Sequence, residues 1–291
     1  MTTLEILAPG PLATIQDAGR PGLAALGVGR SGAADRASLH LANRLVGNPQ
    51  DAAALELTLG GLRARADATV TLALTGAPCP ARAGTRAVGM NSPIPLRPGD
   101  ELVLGTPQQG ARTYLAVRGG IETPEVLGSR STDTLSGLGP PPLTAGTLLP
   151  IGDGALLHLP HLDQAPVRSL PTDTAEATLL RIVPGPRAHW FTPQALDLLC
   201  AGPYQVTAES NRIGARLDGP ALPRAQSAEL EPEGMALGSL QVPPHGKPVL
   251  LLADHPVTGG YPVIAVVLDD DVDRAAQLRP GDAVRFRTTP R

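Results

Sequence analysis

"LRPGDELVLG" (residues 96–105) and "LRPGDAVRFR" (residues 278–287) share a Leu-Arg-Pro-Gly-Asp segment that leads into an apolar run. Pro-Gly favours a type II turn, and the Asp side chain can accept hydrogen bonds from the turned backbone. A looser similarity relates "QDAGRPG" (16–22) to "ESNRIGARL" (209–217). Turn chemistry alone could explain the first repeat, but the two together predict two related β domains.

The predicted boundary lies in "DQAPVRSLPTDTAEA" (163–177), a polar stretch with two prolines that is typical of a linker. The first β domain is then expected over residues 1–164 and the second over 165–291. A chain of 291 residues is long enough to bury two cores of ordinary size.

Short runs rich in Val, Leu, Ile and Thr, each closed by a turn signal, indicate a mainly β chain. These runs are "TVTLALTG" (69–76), "DELVLG" (100–105), "RTYLAVRGG" (112–120), "TLLRIVPG" (178–185), "SLQVP" (239–243), "PVLLLAD" (248–254), "PVIAVV" (262–267) and "DAVRFR" (282–287). The 33 Gly and 32 Pro beside 42% hydrophobic residues are typical of a globular, turn-rich protein.

Helices are expected in only three stretches, 31–48, 191–202 and 271–278. In the first, Ser31 is the expected N-cap and Gly47 the residue that ends the helix. In the second, Thr192 is the expected N-cap, and a proline follows at the first helical position. The third begins with acidic residues, which suit the positive end of a helix.

The composition excludes several classes of function. A net charge of -3 and 2% aromatic residues argue against nucleic-acid binding. No apolar run or N-terminal signal indicates a membrane or an export route, so a cytoplasmic protein with reduced cysteines is expected. Lys247 is the only lysine, so any bound anion should contact arginines, hydroxyls or backbone N–H groups. No metal site is expected, and His158 and His161 are interpreted as solvated.

Residues 12–48 combine polar side chains with glycines, which allow close approach of the backbone to a ligand. The alternative is a turn with a surface ion pair. The candidate ligand-binding side chains here are Thr14, Gln16, Asp17, Arg20, Ser31 and Asn43.

Three further segments repeat this combination, at 118–137, 208–219 and 238–262. Arginine beside hydroxyls suits a carboxylate or phosphate, although plain β-turns are the alternative. The candidates in these segments are Arg118, Ser129, Arg130, Ser131, Thr132, Asp133, Ser210, Asn211, Arg212, Gln241, Asp254, Thr258, Gly259, Gly260 and Tyr261.

The ordered motifs of these segments resemble the carboxyltransferase-domain family, also called allophanate hydrolase subunit 2. They are "TIQDAGRPG", "GVGRSGAADRASLHLANRLVGN", "LELTLGG", "TYLAVRGGI", "VLGSRSTD", "SNRIGARLDG" and "TGGYPVIAVV…QLRPGDAVRF". The resemblance implies two cyclophilin-like β-barrel domains with a few short helices. It also implies that the polar segments of both halves form one site between the domains.

The family resemblance leaves three functions open. Members such as the C subunit of 5-oxoprolinase work with the A and B subunits in ATP-dependent opening of 5-oxoproline to L-glutamate. On that interpretation ATP enters through the partner subunits, the KipI-like B subunit is the most direct partner, the isolated chain is inactive, and a homodimer is compatible with the assembly. The alternatives are a biotin-dependent carboxyltransferase acting on urea or a similar small amide, and a non-catalytic antagonist of a KipI-like regulatory protein.

We predict roles for the candidates from their side-chain chemistry and their places in these motifs. Asp17, Arg130, Arg212 and Asp254 are expected to be catalytic. The expected substrate-binding residues are Thr14, Gln16, Arg20, Ser31, Asn43, Arg118, Ser131, Thr132, Ser210, Asn211, Gln241, Thr258, Gly259, Gly260 and Tyr261.

Two segments depart from the family pattern. "ELEPEGMALGSLQVP" lacks the usual Ser-Glu-Gly, and His255-Pro256-Val257 replaces Arg-Gln-Thr, which removes an arginine and a hydroxyl. Both changes bear on substrate identity. Arg181, in the strand-like run "LLRIV" outside every motif, is a convenient comparator for the predicted site arginines.

Overall fold

The computed structural model describes residues 2–154, 160, 164–167, 177–226 and 228–289. The chain divides into two compact units. Unit 1 comprises Met1–Arg20, Ser31–Asp133 and Gly137–Leu170, and unit 2 comprises Pro21–Arg30, Thr134–Ser136 and Pro171–Arg291. Most of the expected linker, as well as His158 and His161, lies outside the described residues. The boundary at residues 164 and 165 stays a prediction.

The strands of unit 1 are β1 (Thr3–Ala8), β2 (Leu12–Gln16), β3 (Ala54–Thr58), β4 (Arg63–Ala66), β5 (Val70–Gly76), β6 (Ala81–Ala83), β7 (Arg86–Val88), β8 (Pro93–Leu96), β9 (Glu101–Leu104), β10 (Arg112–Val117) and β11 (Leu148–Pro150). One sheet has the order β11-β1-β4-β9-β6-β7 and the other β2-β3-β10-β5-β8. Apolar side chains of both sheets form one buried cluster, to which Ile6 and Leu115 belong.

The five-stranded sheet is buried on both faces, because a helix covers the face opposite this cluster. Helix α1 (Arg36–Val46) packs Leu39 and Leu45 against Ala73 and Ala116 of β5 and β10. Successive side chains of a strand point to opposite faces, so residues of β10 alternate between the core and the helix. Polar residues on the helix face of this sheet are therefore placed in a buried environment.

The start of α1 differs from the prediction. Asp35, not Ser31, is the N-cap: its side chain accepts from the backbone N–H of Ser38 at 3.0 Å. Ser31 lies four residues before the cap and has a φ of 52°, a left-handed conformation. The predicted end is confirmed, since Gly47 adopts φ 74° and donates to helix carbonyls.

Unit 2 is a closed seven-stranded barrel with the order β12-β19-β16-β17-β14-β13-β20. Its strands are β12 (Thr178–Pro184), β13 (Tyr204–Val206), β14 (Gly214–Asp218), β15 (Glu233–Gly234), β16 (Ser239–Gln241), β17 (Val249–Leu251), β18 (Thr258–Gly259), β19 (Val263–Val267) and β20 (Ala283–Thr288), with helices α2 (Ala195–Ala201) and α3 (Asp269–Ala275). β15 and β18 form a separate two-stranded ribbon. The mainly β class with a few short helices is thus confirmed.

Helix α2 also begins later than predicted. Thr192 accepts a bond from Ala195 N through its backbone carbonyl, at 2.9 Å, and Gln194 is the N-cap without a side-chain cap bond. The hydroxyl of Thr192 has no partner among the described residues. Helix α3 begins two residues earlier and ends three residues earlier than the predicted stretch 271–278, and its first turn carries the expected acidic residues, Asp269, Asp270 and Asp271.

The repeated pentapeptide forms the same turn twice. Asp100 N donates to Arg97 O at 3.0 Å and Asp282 N to Arg279 O at 3.0 Å. The intervening Gly99 and Gly281 have φ of 85° and 91°, as a type II turn requires. The first turn follows strand β8, whereas the second follows helix α3. Turn chemistry therefore explains the shared pentapeptide without requiring equivalent places in the two sheets.

Candidate functional site

A row of polar side chains crosses the five-stranded sheet of unit 1. Thr14 of β2 pairs with Glu56 of β3, Glu56 pairs with Tyr114 of β10, and Tyr114 pairs with Thr75 of β5. All four are at most 1% exposed. Their positions between the core residues Ile15, Leu55 and Leu115 place them on the face that α1 covers.

Glu56 is the centre of this row. Its Oε2 accepts from the Tyr114 hydroxyl at 2.6 Å and from Ala34 N at 2.9 Å, and its Oε1 lies 3.4 Å from Arg112 Nε. The Tyr114 oxygen accepts from Asp35 N at 2.8 Å. Burial, followed by the charges of Glu56 and Asp35, raises the pKa of Tyr114 well above its ordinary value. The row therefore fixes the backbone that leads into α1.

Glu56, Arg112 and Tyr114 are not among the predicted site residues, although the motifs "LELTLGG" and "TYLAVRGGI" contain Glu56 and Tyr114. The available signal was the alternation of polar and apolar residues in "LATIQ" and "LELT", which places Thr14, Gln16 and Glu56 on one face.

Asp17 joins the end of β2 to the loop at 129–131. Its carboxylate accepts from Ser129 Oγ at 2.7 Å, Ser131 Oγ at 2.5 Å and Gly19 N at 2.8 Å. Its second oxygen accepts from Arg130 N at 2.6 Å. The structure thus brings Asp17 together with the loop of Arg130 and Ser131, and hydroxyl and backbone donors, not an arginine side chain, bind its carboxylate.

Buried polar atoms without a partner lie near the same loop. Gln16 Nε2 donates to Thr132 O at 2.9 Å and to Thr14 Oγ1 at 3.0 Å, which leaves its Oε1 without a donor among the described residues. Arg20 donates to Ser131 O at 2.6 Å, but its Nη1 has no acceptor in the described chain. The Thr132 hydroxyl is likewise unsatisfied there. Ser31 joins the cluster because its hydroxyl donates to Thr132 O at 3.2 Å.

Arg130 directs its guanidinium to the neighbouring loop. Its Nε donates to Thr123 O at 2.8 Å, and its Nη1 donates to Glu125 Oε1 at 2.7 Å. The side chain is 33% exposed. A ligand anion at Arg130 would therefore share the guanidinium with Glu125.

Two other predicted residues of unit 1 have structural partners. Asn43 Nδ2 donates to the carbonyls of Gln50 and Ala52, and its Oδ1 accepts from Asn48. Arg118 donates to Val46 O at 2.8 Å. These contacts tie both side chains to the end of α1 and the loop that follows it. Arg118 also borders a cavity of about 700 Å³, whose wall includes Thr69, Thr71 and Asp153.

Unit 2 contains a buried bidentate ion pair. Arg212 Nε donates to Asp254 Oδ2 and its Nη2 to Oδ1, both at 2.9 Å, with side chains 2% and 0% exposed. Asp254 Oδ2 also accepts from Thr134 N at 2.9 Å and from its hydroxyl at 2.7 Å. Burial raises the pKa of Asp254, but the charge of Arg212 and the hydrogen bonds outweigh it, so the net pKa lies below the ordinary value. Thr134 was not among the predicted site residues.

The remaining candidates of unit 2 fall into two groups. Asn211 accepts from Ile213 N at 2.8 Å, and Ser210 Oγ accepts from Arg216 N at 3.0 Å, so both shape the turn before β14. Gln241 donates to Tyr261 O at 3.3 Å, and a Cβ on Gly259 would lie 2.5 Å from Gln241 Nε2. Gly259 therefore allows this strand to approach Gln241. Thr258 pairs with Gly234 in the two-stranded ribbon.

Arg181 is a poor comparator for the site arginines. Its guanidinium binds Asp271 at 2.9 Å through both Nε and Nη2, and its backbone N donates to the same carboxylate at 2.7 Å. The contact connects β12 to α3, so replacing Arg181 would perturb the barrel. Arg285, which is exposed on β20, is a better control.

Within the described residues no group of three His, Cys, Asp or Glu side chains is arranged to hold a metal ion. The helices in that part of the chain are also too short or too polar to cross a membrane.

The two mainly β units each contain a buried arginine–carboxylate contact, and comparison with known protein families identifies the class of protein. The model of the carboxyltransferase domain, subdomain A and B, matches residues 26–288. The chain belongs to this family.

Relatives and solved structures match along nearly the whole chain. The C subunit of 5-oxoprolinase from Escherichia coli (strain K12) is 38% identical over 97% of this chain and 90% of its own length. The urea amidolyase of Lachancea kluyveri is 33% identical over 97% of this chain but only 17% of its own length. The crystal structure of the K. lactis urea amidolyase superposes with a TM-score of 0.91 at 31% identity, covering 99% of this chain and 19% of that one. The structure of TTHA0988 gives a TM-score of 0.88 at 35% identity, with the chain spanning 55% of its length.

Proposed function

We propose that this protein is the C subunit of an ATP-dependent 5-oxoprolinase assembly that helps open 5-oxoproline to L-glutamate. The observation that carries the proposal is the 38% identity to a 5-oxoprolinase C subunit, of which this chain spans 90%. The urea amidolyases are less similar, and the chain corresponds to under a fifth of their length.

The polar cluster of unit 1 supports a small amide as the substrate. An amide presents an N–H donor and a carbonyl acceptor. Gln16 Oε1 is a buried acceptor without a donor in the described chain, and Arg20 Nη1 is a buried donor without an acceptor there. A buried polar atom without a hydrogen-bond partner raises the free energy of the folded protein. A ligand that forms hydrogen bonds with both atoms would therefore bind favourably. Residues of this cluster would bind and orient the amide.

The residues of the chain do not fit a phosphate-binding loop for ATP. Lys247, its only lysine, forms an exposed ion pair with Asp218 at 2.6 Å rather than following a glycine-rich turn. We therefore assign ATP binding to the A and B partner subunits.

Reconstitution tests the proposal directly. The isolated chain should form no glutamate from 5-oxoproline and ATP, whereas the chain mixed with the A and B subunits of the same organism should form glutamate at a rate that depends on the added chain. Glutamate release would be followed by an enzyme-coupled assay. Mixtures of A and B without the chain serve as the control.

Two outcomes favour the alternatives. If the complete mixture forms no glutamate but the chain binds the B subunit, a non-catalytic antagonist of a KipI-like protein is favoured. If the chain instead supports carboxyl transfer from a biotin carrier to urea, the carboxyltransferase interpretation is favoured; the TM-score of 0.91 to a urea amidolyase is the observation behind it.

Arg130 is expected to contribute to substrate binding in the assembly. An arginine contact to a charged ligand stabilises it by roughly 1.5–3 kcal/mol, so Arg130→Ala should raise the 5-oxoproline concentration for half-maximal rate by about ten- to a hundredfold. Arg285→Ala removes an exposed arginine from β20 and should leave that concentration unchanged. Equal effects of the two substitutions would show that Arg130 is not a substrate ligand.

A further inference from the structure

A cavity of about 920 Å³ opens on unit 2 and is bounded by residues 221–225, 228–230, 244–246 and 260–261. Its volume is that of pockets that hold small molecules in other proteins. Gly260 and Tyr261 of its wall belong to the predicted substrate-binding set, but Arg224 does not. None of the predicted catalytic residues borders it.

Arg224 is the notable side chain of this wall. Its Nη2 donates to the carbonyl of Val242, while its Nε is buried and has no acceptor among the described residues. Burial lowers the pKa of its guanidinium, and Tyr261 is the other group that influences it. No carboxylate of the described chain contributes. A buried guanidinium N–H without an acceptor is costly, and a bound anion would relieve that cost.

The rest of the wall is suited to the body of a small organic molecule. Leu222, Pro223 and Pro244 provide an apolar surface, and the ring of Tyr261 is 45% exposed. Glu229 also borders the cavity but makes no ion pair with Arg224. A ligand with one carboxylate and a compact apolar body matches this arrangement better than a neutral or multiply charged one.

We propose that this cavity binds a small organic monocarboxylate, with Arg224 and Tyr261 bonding the carboxylate. The ligand oxygens accept hydrogen bonds from Arg224 Nε–H and from the Tyr261 hydroxyl, and the carbon skeleton contacts Leu222 and Pro223. Only the choice of 5-oxoproline as the probe rests on the proposed function; binding itself is a property of this chain.

Calorimetric titration of the isolated full chain with two matched ligands tests the inference. 5-Oxoproline and 5-oxoprolinamide share the lactam ring and differ in whether the side group is a carboxylate or a neutral amide. The carboxylate should bind about ten- to a hundredfold more tightly than the amide. Equal affinities, or no heat from either ligand at millimolar concentration, would overturn the proposal.

Variants locate the binding. Arg224→Gln should reduce the affinity for 5-oxoproline to that of the amide, whereas Arg285→Gln should not change it. Since Arg224 also bonds Val242, its variant could lose stability, so Tyr261→Phe provides a second test at an exposed ring and should weaken 5-oxoproline binding several-fold. Unchanged affinity in Tyr261→Phe together with unchanged affinity in a folded Arg224→Gln would place the ligand elsewhere and refute the assignment.

The outcome is separable from that of the reconstitution. If the chain binds the carboxylate selectively but the reconstituted assembly forms no glutamate, only the proposed function is refuted. An active assembly whose C subunit shows no carboxylate selectivity at this cavity would refute the cavity assignment alone.

Discussion

Asp254→Ala is expected to lower the free energy of unfolding of unit 2 by about 3–5 kcal/mol, the usual cost of removing one partner of a buried ion pair. Arg212 is 2% exposed and donates two hydrogen bonds to Asp254, so its charge would stay buried without that carboxylate. Thr134 would lose an acceptor for both its backbone N–H and its hydroxyl.

Urea denaturation followed by tryptophan fluorescence measures this effect within the correct unit. Trp190 is the only tryptophan, and it packs against the core of the barrel. Asp218→Ala, which removes an exposed ion pair with Lys247 from the same barrel, should leave the denaturation midpoint unchanged. Similar midpoints for both variants would show that the buried pair does not stabilise the barrel.

The difference in the free energy of unfolding between the native protein and Asp254→Ala should also depend on pH in a defined way. The folded pKa of Asp254 is depressed, so its contribution is present above the unfolded pKa of about 3.9 and is lost as the pH falls through the folded pKa. The difference should therefore be constant between about pH 5 and pH 7 and should shrink only below about pH 4.

The sequence located eight of the twenty described strands, because those eight are local patterns of apolar and β-branched residues; the other twelve, β1 and β3 among them, were not predicted. All eight quoted runs contain a strand, from Val70–Gly76 in β5 to Ala283–Thr288 in β20. The Pro-Gly turns at residues 98 and 280 were predictable for the same reason, since a type II turn depends on its own residues. The closure of the seven strands of unit 2 into a barrel requires pairing between distant segments, which a local pattern does not contain.

For α1 and α2, the helix starts were predicted less well than the helix ends. Gly47 ends α1 as expected, because a left-handed residue after the last turn nearly requires glycine. The start is decided by competition among Ser31, Asp35 and neighbouring polar residues. Asp35 becomes the N-cap because Glu56 and Tyr114, which are distant in sequence, accept hydrogen bonds from the backbone N–H groups of residues 34 and 35. Only the folded sheet places those two residues there.

The candidate site shows the same limit. The sequence placed Asp17 in one polar segment and Arg130 and Ser131 in another, and the structure brings the two segments together at Asp17. The sequence could not indicate that Arg212 binds Asp254. Nor could it indicate that Thr134, 120 residues away in the chain, contacts the same carboxylate. Arginines that look equivalent in their motifs thus differ in their partners: Arg130 is part-exposed beside Glu125, and Arg212 is buried against Asp254.

Asp17→Ala is expected to lower the free energy of unfolding of unit 1 by about 3 kcal/mol or more. Four donors converge on its carboxylate: the hydroxyls of Ser129 and Ser131 and the backbone N–H groups of Gly19 and Arg130. Each buried donor left without an acceptor costs about 1–3 kcal/mol, although rearrangement recovers part of the total. Circular dichroism during urea denaturation gives the loss, and hydrogen exchange at residues 129–131 shows whether the loop is released.

Asp17→Asn distinguishes this structural role from the catalytic role that was predicted for Asp17 from the sequence. Asparagine keeps the shape and one acceptor oxygen but cannot take up a proton at neutral pH. If Asp17 only anchors the loop, the rate of the reconstituted assembly should fall no more than the folded fraction of the Asn variant does. A fully folded Asn variant that loses its rate at saturating substrate would contradict a purely structural role for Asp17. Only a group that takes part in the reaction would lower the rate without changing the fold or the hydrogen exchange of residues 129–131.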